Sequence, residues 1–571
     1  MKADLKLYDV PRINSIQDMV INSAKSFGPG LALEDLNSTP INKLSFRELL
    51  EQILRFGSAL RELGISERAH IAVIGENRVQ WALSYLTGMC FNYVVVPIDK
   101  NLTKNEIMNI LHESDSEAVI FSGSYSGMMA EGSNFLKKLK YYICMDETGE
   151  DKEFLNMLTL IRKSKPLRTE DLPQINPDDL AEIIFTSGSL GRAKGVMLSQ
   201  KNLASNLMDM VSMVSITEKD RFLSVLPMHH TYECTCGMLC PIYTGASVHY
   251  ARSLKTVVDD LQKVRATILL GVPLLYDKMF KRIMKGITED KLKSVLVPSL
   301  VKFTNLFSMV GIKDVKKKIF HELHEKFGGS VRLFIAGGAA PDPLVAKGLR
   351  EFGFNFIQGY GLTETSPILA LNRVDSFKDN AAGIPMPHTQ IKINNVDENG
   401  SGEIWAKAPY VMMGYYKNES ATDSAFENGW FKTGDIGYID EDGFLHINGR
   451  KKNVIISKSG KNVFPEEIED ILNRSPFILE CLVFGEEDAK QGEIITAQVV
   501  VDAEAFIELA ETNHIQIDDA LLNKTISDEV EKVNQQLAAH KQIKRFYIRE
   551  QEFEKTTTQK IKRYLVKNDT E

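Results

Sequence analysis

No stretch of this 571-residue chain is both long enough and apolar enough to read as a membrane-spanning helix. The nearest candidate, Trp81 to Ile98, lacks charged side chains but contains Ser84, Thr87, Gly88, Asn92 and Pro97, and divides into a helix followed by the strand Val94-Val95-Val96. The opening Met1-Lys2-Ala3-Asp4-Leu5-Lys6 alternates charge and leads into no apolar segment, so no secretory signal is expected. Cysteine is scarce: six residues without a disulfide-framework spacing suit a reducing, cytoplasmic setting. Cys234, Cys236 and Cys240 follow His229 and His230 but lack the paired Cys-x-x-Cys knuckles of structural zinc, so buried thiols in an apolar helix are expected. Charge of one sign is also lacking, and a net −8 over this length excludes a general nucleic-acid binder. There is no Pro- or Ser-rich linker, although the length calls for two or more domains.

What is present, from His70 onward, is alternation. Ile71–Ile74, Val94–Pro97 and Ala118–Phe121 read as strands, with helices over Val79–Cys90 and Thr103–His112 between them. The rhythm returns at Phe222–Leu226, Ser247–Tyr250 and Thr267–Leu270. Short β-branched runs separated by helices predict an α/β fold with a large N-terminal part of stacked sheet layers. Residues 278–326 interrupt it with twelve basic residues against five acidic ones. This island reads either as a solvated helical insertion or as a surface lying on anionic lipid, where each basic residue contributes about 1 kcal/mol. After Gly449-Arg450 a compact α+β part is expected: paired strands around Lys458-Ser459-Gly460, a helix opened by Pro465-Glu466-Glu467, strands at Cys481–Phe484 and Thr496–Val500, and a helix near Ile526–Ala538.

The densest chemical signal is Thr186-Ser187-Gly188-Ser189-Leu190-Gly191-Arg192-Ala193-Lys194-Gly195, directly after the apolar run Ala181–Phe185. Hydroxyls, glycines and a lysine after a short strand suit phosphate binding through close backbone N–H groups and a full positive charge. The order is neither Walker A nor Gly-x-Gly-x-x-Gly. Further motifs follow: Gly337-Gly338-Ala339-Ala340-Pro341, Gln358-Gly359-Tyr360-Gly361-Leu362-Thr363-Glu364-Thr365, Trp430-Phe431-Lys432-Thr433-Gly434-Asp435, Gly449-Arg450-Lys451-Lys452, and Lys555-Thr556-Thr557-Thr558-Gln559-Lys560.

Together, in this order and over nearly the whole chain, these motifs resemble the adenylate-forming superfamily of acyl-CoA synthetases, amino-acid adenylation domains and luciferases. The basic insertion is similar to that of long-chain fatty acyl-CoA synthetases. The resemblance implies an N-terminal domain over residues 1–449 and a small mobile C-terminal lid over 450–571. It also implies ATP, a fatty acid and coenzyme A as substrates, Mg²⁺ as cofactor, and no nucleic-acid partner. Thr186, Ser187, Gly188, Ser189, Gly191 and Lys194 would close over the outer phosphates. Tyr360, with Gly361 beside it, would lie against adenine, and Gly337, Gly338 and Ala339 would admit the base. Thr363 would contact phosphate, and Glu364 would hold Mg²⁺. Asp435 matches the acid that binds the ribose hydroxyls and Arg450 its cationic partner. Lys560 matches the catalytic lysine, Lys452 the hinge, Gly460 the loop facing the thiol, and His230 the residue where acyl carboxylate and thiol meet.

Some positions depart from the pattern: Leu190 for Ser or Thr, Ala193 for proline, Gln200 for histidine, and Glu554 and Gln559 for proline and glycine. No aspartate lies between Leu226 and Tyr232 to pair a substrate amine, which points to an uncharged acyl tail. Transfer to a carrier-protein phosphopantetheine, or a non-catalytic nucleotide-binding regulator, are the alternatives. Location is expected in the cytoplasm, peripheral to the inner face of a membrane if the basic insertion touches lipid.

Overall fold

The β-branched runs form the strands expected of them. His70–Ile74, Val94–Ile98 and Ala118–Phe121 lie side by side and parallel, with Ile71 opposite both Val95 and Ala118. Ile71, Val73 and Val95 enter one core cluster, whereas Ala72, Ile74, Val94 and Val96 enter another. A strand buried on both faces has no polar side to show, so its sequence reads as a continuous apolar run. The computed structural model describes residues 6–38, 41–132, 136–147, 154–186, 193–309, 315–398, 400–456, 461–488, 492–556 and 560–566. The expected phosphate-loop residues Ser187, Gly188, Ser189, Leu190 and Gly191, together with Gly460 and Gln559, lie outside the described residues.

The chain divides into two compact units. The first comprises Met1–Ile391, Ala406–Phe431 and Glu441–Phe444. Within it an eight-stranded sheet includes the three strands above and the antiparallel pair Leu180–Thr186 and Lys194–Ser199. A nine-stranded sheet is built around Ile268–Gly271, Leu333–Ala336 and Asn355–Gly361, all parallel. One core cluster takes Ile71 and Val95 from the first sheet and Phe222, Leu270 and Ile357 from the second, so the two layers share a core.

Helix Val79–Cys90 explains the uncharged segment noted in the sequence: all twelve of its residues are buried, and Trp81 stacks on Tyr85. A helix apolar all round belongs inside a protein when it is this short. No helix among the described residues is long and apolar enough to cross a membrane. Gln200 also has a structural task, accepting from the Ile16 amide at 2.8 Å and donating to the Met89 carbonyl at 3.1 Å.

The second unit comprises Lys392–Trp405, Lys432–Asp440 and Leu445–Glu571. The expected 449/450 boundary therefore falls inside it. Its α+β part pairs Ile478–Asp488 with Gly492–Val501 antiparallel and adds Arg545–Arg549 parallel. Ile468, Leu472, Val483, Val499 and Ile526 form its core. Ile455–Ile456 and Asn462–Val463 pair as foreseen. The long helix spans Asp519–Asn534, starting earlier than its apolar pattern predicts, because the Asp518 carboxylate caps it by accepting from the Leu521 amide at 2.8 Å.

Two of the buried carboxyl groups of the first unit have strongly raised pKa values. Glu182 and Glu233 are each 1% exposed, and burial pushes both up to about 8. A carboxyl raised above its ordinary 4.5 keeps its proton in the folded chain where the unfolded chain has lost it. Stability is therefore lost as pH climbs from about 4.5 to about 8, by about 1.4 kcal/mol per pH unit while the proton is held. Glu233→Gln should remove that slope, so its melting temperature should gain on the parent progressively between pH 5 and pH 8 in thermal scans. A difference that does not vary with pH would show that Glu233 is already ionised in the fold.

Candidate active site

The strand pair Leu180–Thr186 and Lys194–Ser199 sets Thr186 opposite Lys194, and the Thr186 hydroxyl donates to the Lys194 carbonyl at 3.4 Å. The edge strand Gly414–Tyr415 pairs antiparallel with Val196 and Met197, which brings Tyr415 into this corner. The Lys194 ammonium lies 4.9 Å from the centre of the Tyr415 ring. The Tyr415 hydroxyl donates to Glu364 Oε1 at 2.9 Å. One tyrosine thus touches both the cation and the carboxylate that sequence reasoning had picked out separately. Sequence reasoning missed Tyr415; the aromatic pair in Gly414-Tyr415-Tyr416 was its only signal.

Glu364 sits on the short turn Thr363–Thr365, just beyond strand Asn355–Gly361, and the Met412 amide donates to its carbonyl at 2.8 Å. Buried Asn206, on helix Gln200–Met213, fixes that turn by donating to the carbonyls of Thr365 at 3.3 Å and Ile368 at 2.9 Å. Tyr360, Gly361, Thr363 and Glu364 are all half-buried, which leaves them reachable by a ligand.

Gly337 and Gly338 follow strand Leu333–Ala336. A Cβ on Gly337 would lie 2.6 Å from Tyr232 Cζ, so glycine is required here first by a protein ring. The Tyr232 hydroxyl donates to the Ile335 carbonyl at 3.0 Å, holding that ring in place. Gly338 has φ +85°, a left-handed conformation that favours glycine, and it is exposed together with Ala339.

His230 lies half-buried beside His229, ring centres 5.1 Å apart. Burial, helped by the Lys100 charge, lowers the His229 pKa to about 3, so it stands neutral 3.5 Å from Asp99 at ordinary pH. Cys234, Cys236 and Cys240 are buried free thiols on the turns that follow, and burial pushes all three up, away from the thiolate a metal would need. Cys236 and Cys240 line an apolar cavity with Met210, Phe222, Leu270 and Ile335. Ala336 and Gly359 line it too, and they immediately precede Gly337 and Tyr360. Among the described residues no charged side chain lines this cavity.

In the second unit, Asp435 lies on strand Trp430–Ile439 opposite Arg450 on Leu445–Arg450, and Arg450 Nε reaches Asp435 Oδ1 at 2.7 Å. Asp435 is buried, with its amide donating to the Thr433 hydroxyl at 3.1 Å. Lys560 is exposed as a residue, with part of its side chain desolvated. That desolvation, then the Arg450 cation, lower its pKa, while Asp435 acts the other way. Lys452, on the turn Lys451–Asn453, is lowered likewise by burial and by Arg450 and Arg563.

The neighbouring basic residues have other tasks. Lys555 pairs with Glu480 at 2.6 Å, Lys562 with Glu554 at 3.6 Å, and Arg563 with Glu469 on helix Pro465–Leu472. The tail is therefore pinned on both sides of Lys560, and Lys560 is the member of this basic run set beside Asp435 and Arg450.

Residues 23–416 match the AMP-binding enzyme family, and residues 467–560 match the AMP-binding enzyme C-terminal domain. The chain belongs to the AMP-binding enzyme family. It is 28% identical over 551 residues to the long-chain-fatty-acid–CoA ligase FadD15 of Mycobacterium bovis, covering 91% of this chain and 89% of that one. It is 30% identical over 507 residues to the long-chain-fatty-acid–CoA ligase 1 of Homo sapiens, covering 83% and 71%. It is 29% identical to the long-chain-fatty-acid–[acyl-carrier-protein] ligase AEE15 of Arabidopsis thaliana, covering 84% and 76%. Its fold matches the anthranilate CoA ligase AuaEII in complex with anthranoyl-AMP, with TM-score 0.78 at 20% identity over 98% of both chains. It also matches ATP-bound MatB of Rhodopseudomonas palustris, with TM-score 0.76 at 24% identity over 97% and 98%.

For an AMP-binding enzyme, the Tyr415 bridge generates a test. Tyr415→Phe keeps the ring beside Lys194 and removes the hydrogen bond to Glu364. A hydrogen bond to a charged group contributes roughly 1.5–3 kcal/mol, so ATP-dependent pyrophosphate release should fall about tenfold or more. A rate equal to the parent's would leave the hydroxyl without a catalytic role.

Proposed function

We propose that this adenylate-forming ligase activates a fatty acid, preferably long-chain, and passes the acyl group to coenzyme A. The observation that supports this reading is the apolar cavity beside Ala336 and Gly359, about 20 Å³ in volume and lined by Met210, Phe222, Cys236, Cys240 and Leu270 with no charged group among the described residues, the start of an apolar path rather than room for a whole chain. An aliphatic tail gains free energy by leaving water for such a surface, about 0.8 kcal/mol per buried CH₂, and an amino acid would strand its ammonium there.

In the first half-reaction the fatty carboxylate attacks the α-phosphorus of ATP, pyrophosphate leaves, and a mixed anhydride with AMP forms. Expelling oxide from a carboxylate is prohibitive, whereas AMP is a stabilised leaving group. Lys194 and Thr186 serve the outer phosphates, and Asp435 with Arg450 serves the ribose. Lys560 neutralises charge gathering on the carboxylate and α-phosphate oxygens. Glu364, a hard oxygen donor already oriented by Tyr415, fits Mg²⁺, which would balance phosphate charge. In the second half-reaction the coenzyme A thiol attacks the acyl carbon near His230, and AMP leaves. Lys560 has no charge to offset there, which is consistent with a lid over 450–571 that turns at Lys452 between the steps.

A carrier-protein phosphopantetheine as acceptor is the second reading, favoured by the relative named as an acyl-carrier-protein ligase. Saturation by free coenzyme A at sub-millimolar levels would disfavour it.

The chain-length claim is tested by hydroxamate trapping of acyl-adenylate across a series of fatty acids. The parent enzyme should favour long chains. Cys236→Val, which fills the cavity, should shift the optimum to shorter acids while short-chain activity, the control for folding, persists. Flat rates across the series in the parent would refute the chain-length assignment.

A further inference from the structure

Helix Lys291–Met309 is apolar on two opposite sides. Val297, Leu300 and Val301 pack against the core cluster of Tyr276, Phe334 and Leu349. On the other side Leu292 and Val295 are each 69% exposed, Leu306 62%, Phe303 52% and Leu296 47%. At 3.6 residues per turn these five positions form one stripe about 100° wide and about 21 Å long. A surface helix needs one apolar face to hold it to the core, and a second gains nothing from folding. Exposed Ser299 lies within the stripe between Leu296 and Phe303, its hydroxyl turned back to the Val295 carbonyl at 3.4 Å, and exposed apolar surface on this scale marks an interaction site.

The charges around the stripe select its occupant. Lys302, exposed, borders the stripe on one side in the helical projection, and Lys293, also exposed, lies about 60° beyond its other edge. The preceding helix Pro273–Thr288 adds exposed Lys278, Lys281, Arg282 and Lys285. Between 278 and 306 there are seven basic residues, counting Lys291, and only Glu289 and Asp290 oppose them, a net of +5. Part of that charge is engaged locally: Lys293 lies 3.4 Å from Asp290, and Lys285 4.0 Å from Glu289. A second copy of this chain docked through the same face would set these cations against themselves. An anionic bilayer takes both features, the apolar stripe entering the acyl boundary and the lysines meeting headgroup phosphates.

We propose that the exposed face of helix Lys291–Met309 docks this protein on an anionic lipid bilayer. The helix lies in the interface rather than crossing it. The helix that leads to it, Pro273–Thr288, starts directly after strand Ile268–Gly271, whose Leu270 lines the apolar cavity. The proposal does not depend on which acid is activated.

The test uses the full chain with vesicles of phosphatidylcholine alone or mixed with phosphatidylglycerol, read by co-sedimentation. Binding should require phosphatidylglycerol and weaken steeply as salt is raised. Leu292→Asp with Leu306→Asp should reduce partitioning about tenfold or more, with melting temperature and adenylation of a water-soluble acid unchanged. Because the six native cysteines are buried, Val295→Cys offers one accessible site for an environment-sensitive dye, whose emission should shift to the blue on phosphatidylglycerol vesicles. Equal binding to both vesicle types, or equal binding by parent and double variant, would overturn the proposal. So would an unshifted dye on sedimenting protein, or a dimer that the double variant abolishes in a protein that binds no vesicles.

Discussion

Three cations, Arg450, Lys452 and Lys560, gather about the buried carboxylate of Asp435, with Glu466 also acting on Lys452, and this concentration of positive charge is the constraint on which the functional account rests. Arg450 is paired with Asp435 at 2.7 Å, and that one bond cannot neutralise the two lysines as well. Burial and like charge accordingly push both lysines below their ordinary pKa. Such an arrangement opposes folding unless something holds it. Here the holding is explicit, since Lys555 on Glu480 and Arg563 on Glu469 pin the chain on either side of Lys560. A lysine whose surroundings lower its pKa gains most when an anion comes beside it.

The first unit shows the complementary economy. Lys194, Tyr415 and Glu364 are assembled by ordinary strand pairing, because the edge strand Gly414–Tyr415 joins the sheet beside Val196 and Met197. Gly337, expected near the base, is also occupied with packing: it makes room for Tyr232, which in turn bonds to the Ile335 carbonyl and lines the apolar cavity. Polar recognition and apolar burial are therefore built from the same strands, one residue apart, at Ala336–Gly337 and at Gly359–Tyr360.

Much of this was legible in the sequence where local chemistry decides the outcome. The runs at Ala118–Phe121 and Ser247–Tyr250 are strands with the expected ends, because strands buried on both faces announce themselves by composition alone. Val79–Cys90 was legible as a helix for the same reason. The motif residues Glu364, Asp435, Arg450 and Lys560 stood out by spacing and resemblance. Tyr415 and Tyr232 did not, because their importance comes from strand pairing and ring packing across long sequence separations, which no local pattern encodes. The basic island shows both its charge and apolar pieces, Val295-Leu296-Val297 and Leu306-Phe307, in the sequence. Which of them face outward is not legible there, because apolar residues on both sides of a helix look the same in sequence as an ordinary core helix. Helix Asp519–Asn534 started early because one aspartate cap outweighs the apolar periodicity used to place it.

The most direct measurement of the central claim separates the two half-reactions in a Lys560→Ala variant. Removing a preorganised charge of this kind typically costs about 10²–10³ in rate. The account predicts a loss of that size in acyl-adenylate formation, followed by pyrophosphate release, with near-parental conversion of supplied acyl-adenylate and coenzyme A to thioester. Equal losses in both half-reactions, or none in the first, would contradict the assignment of Lys560 as the activating cation.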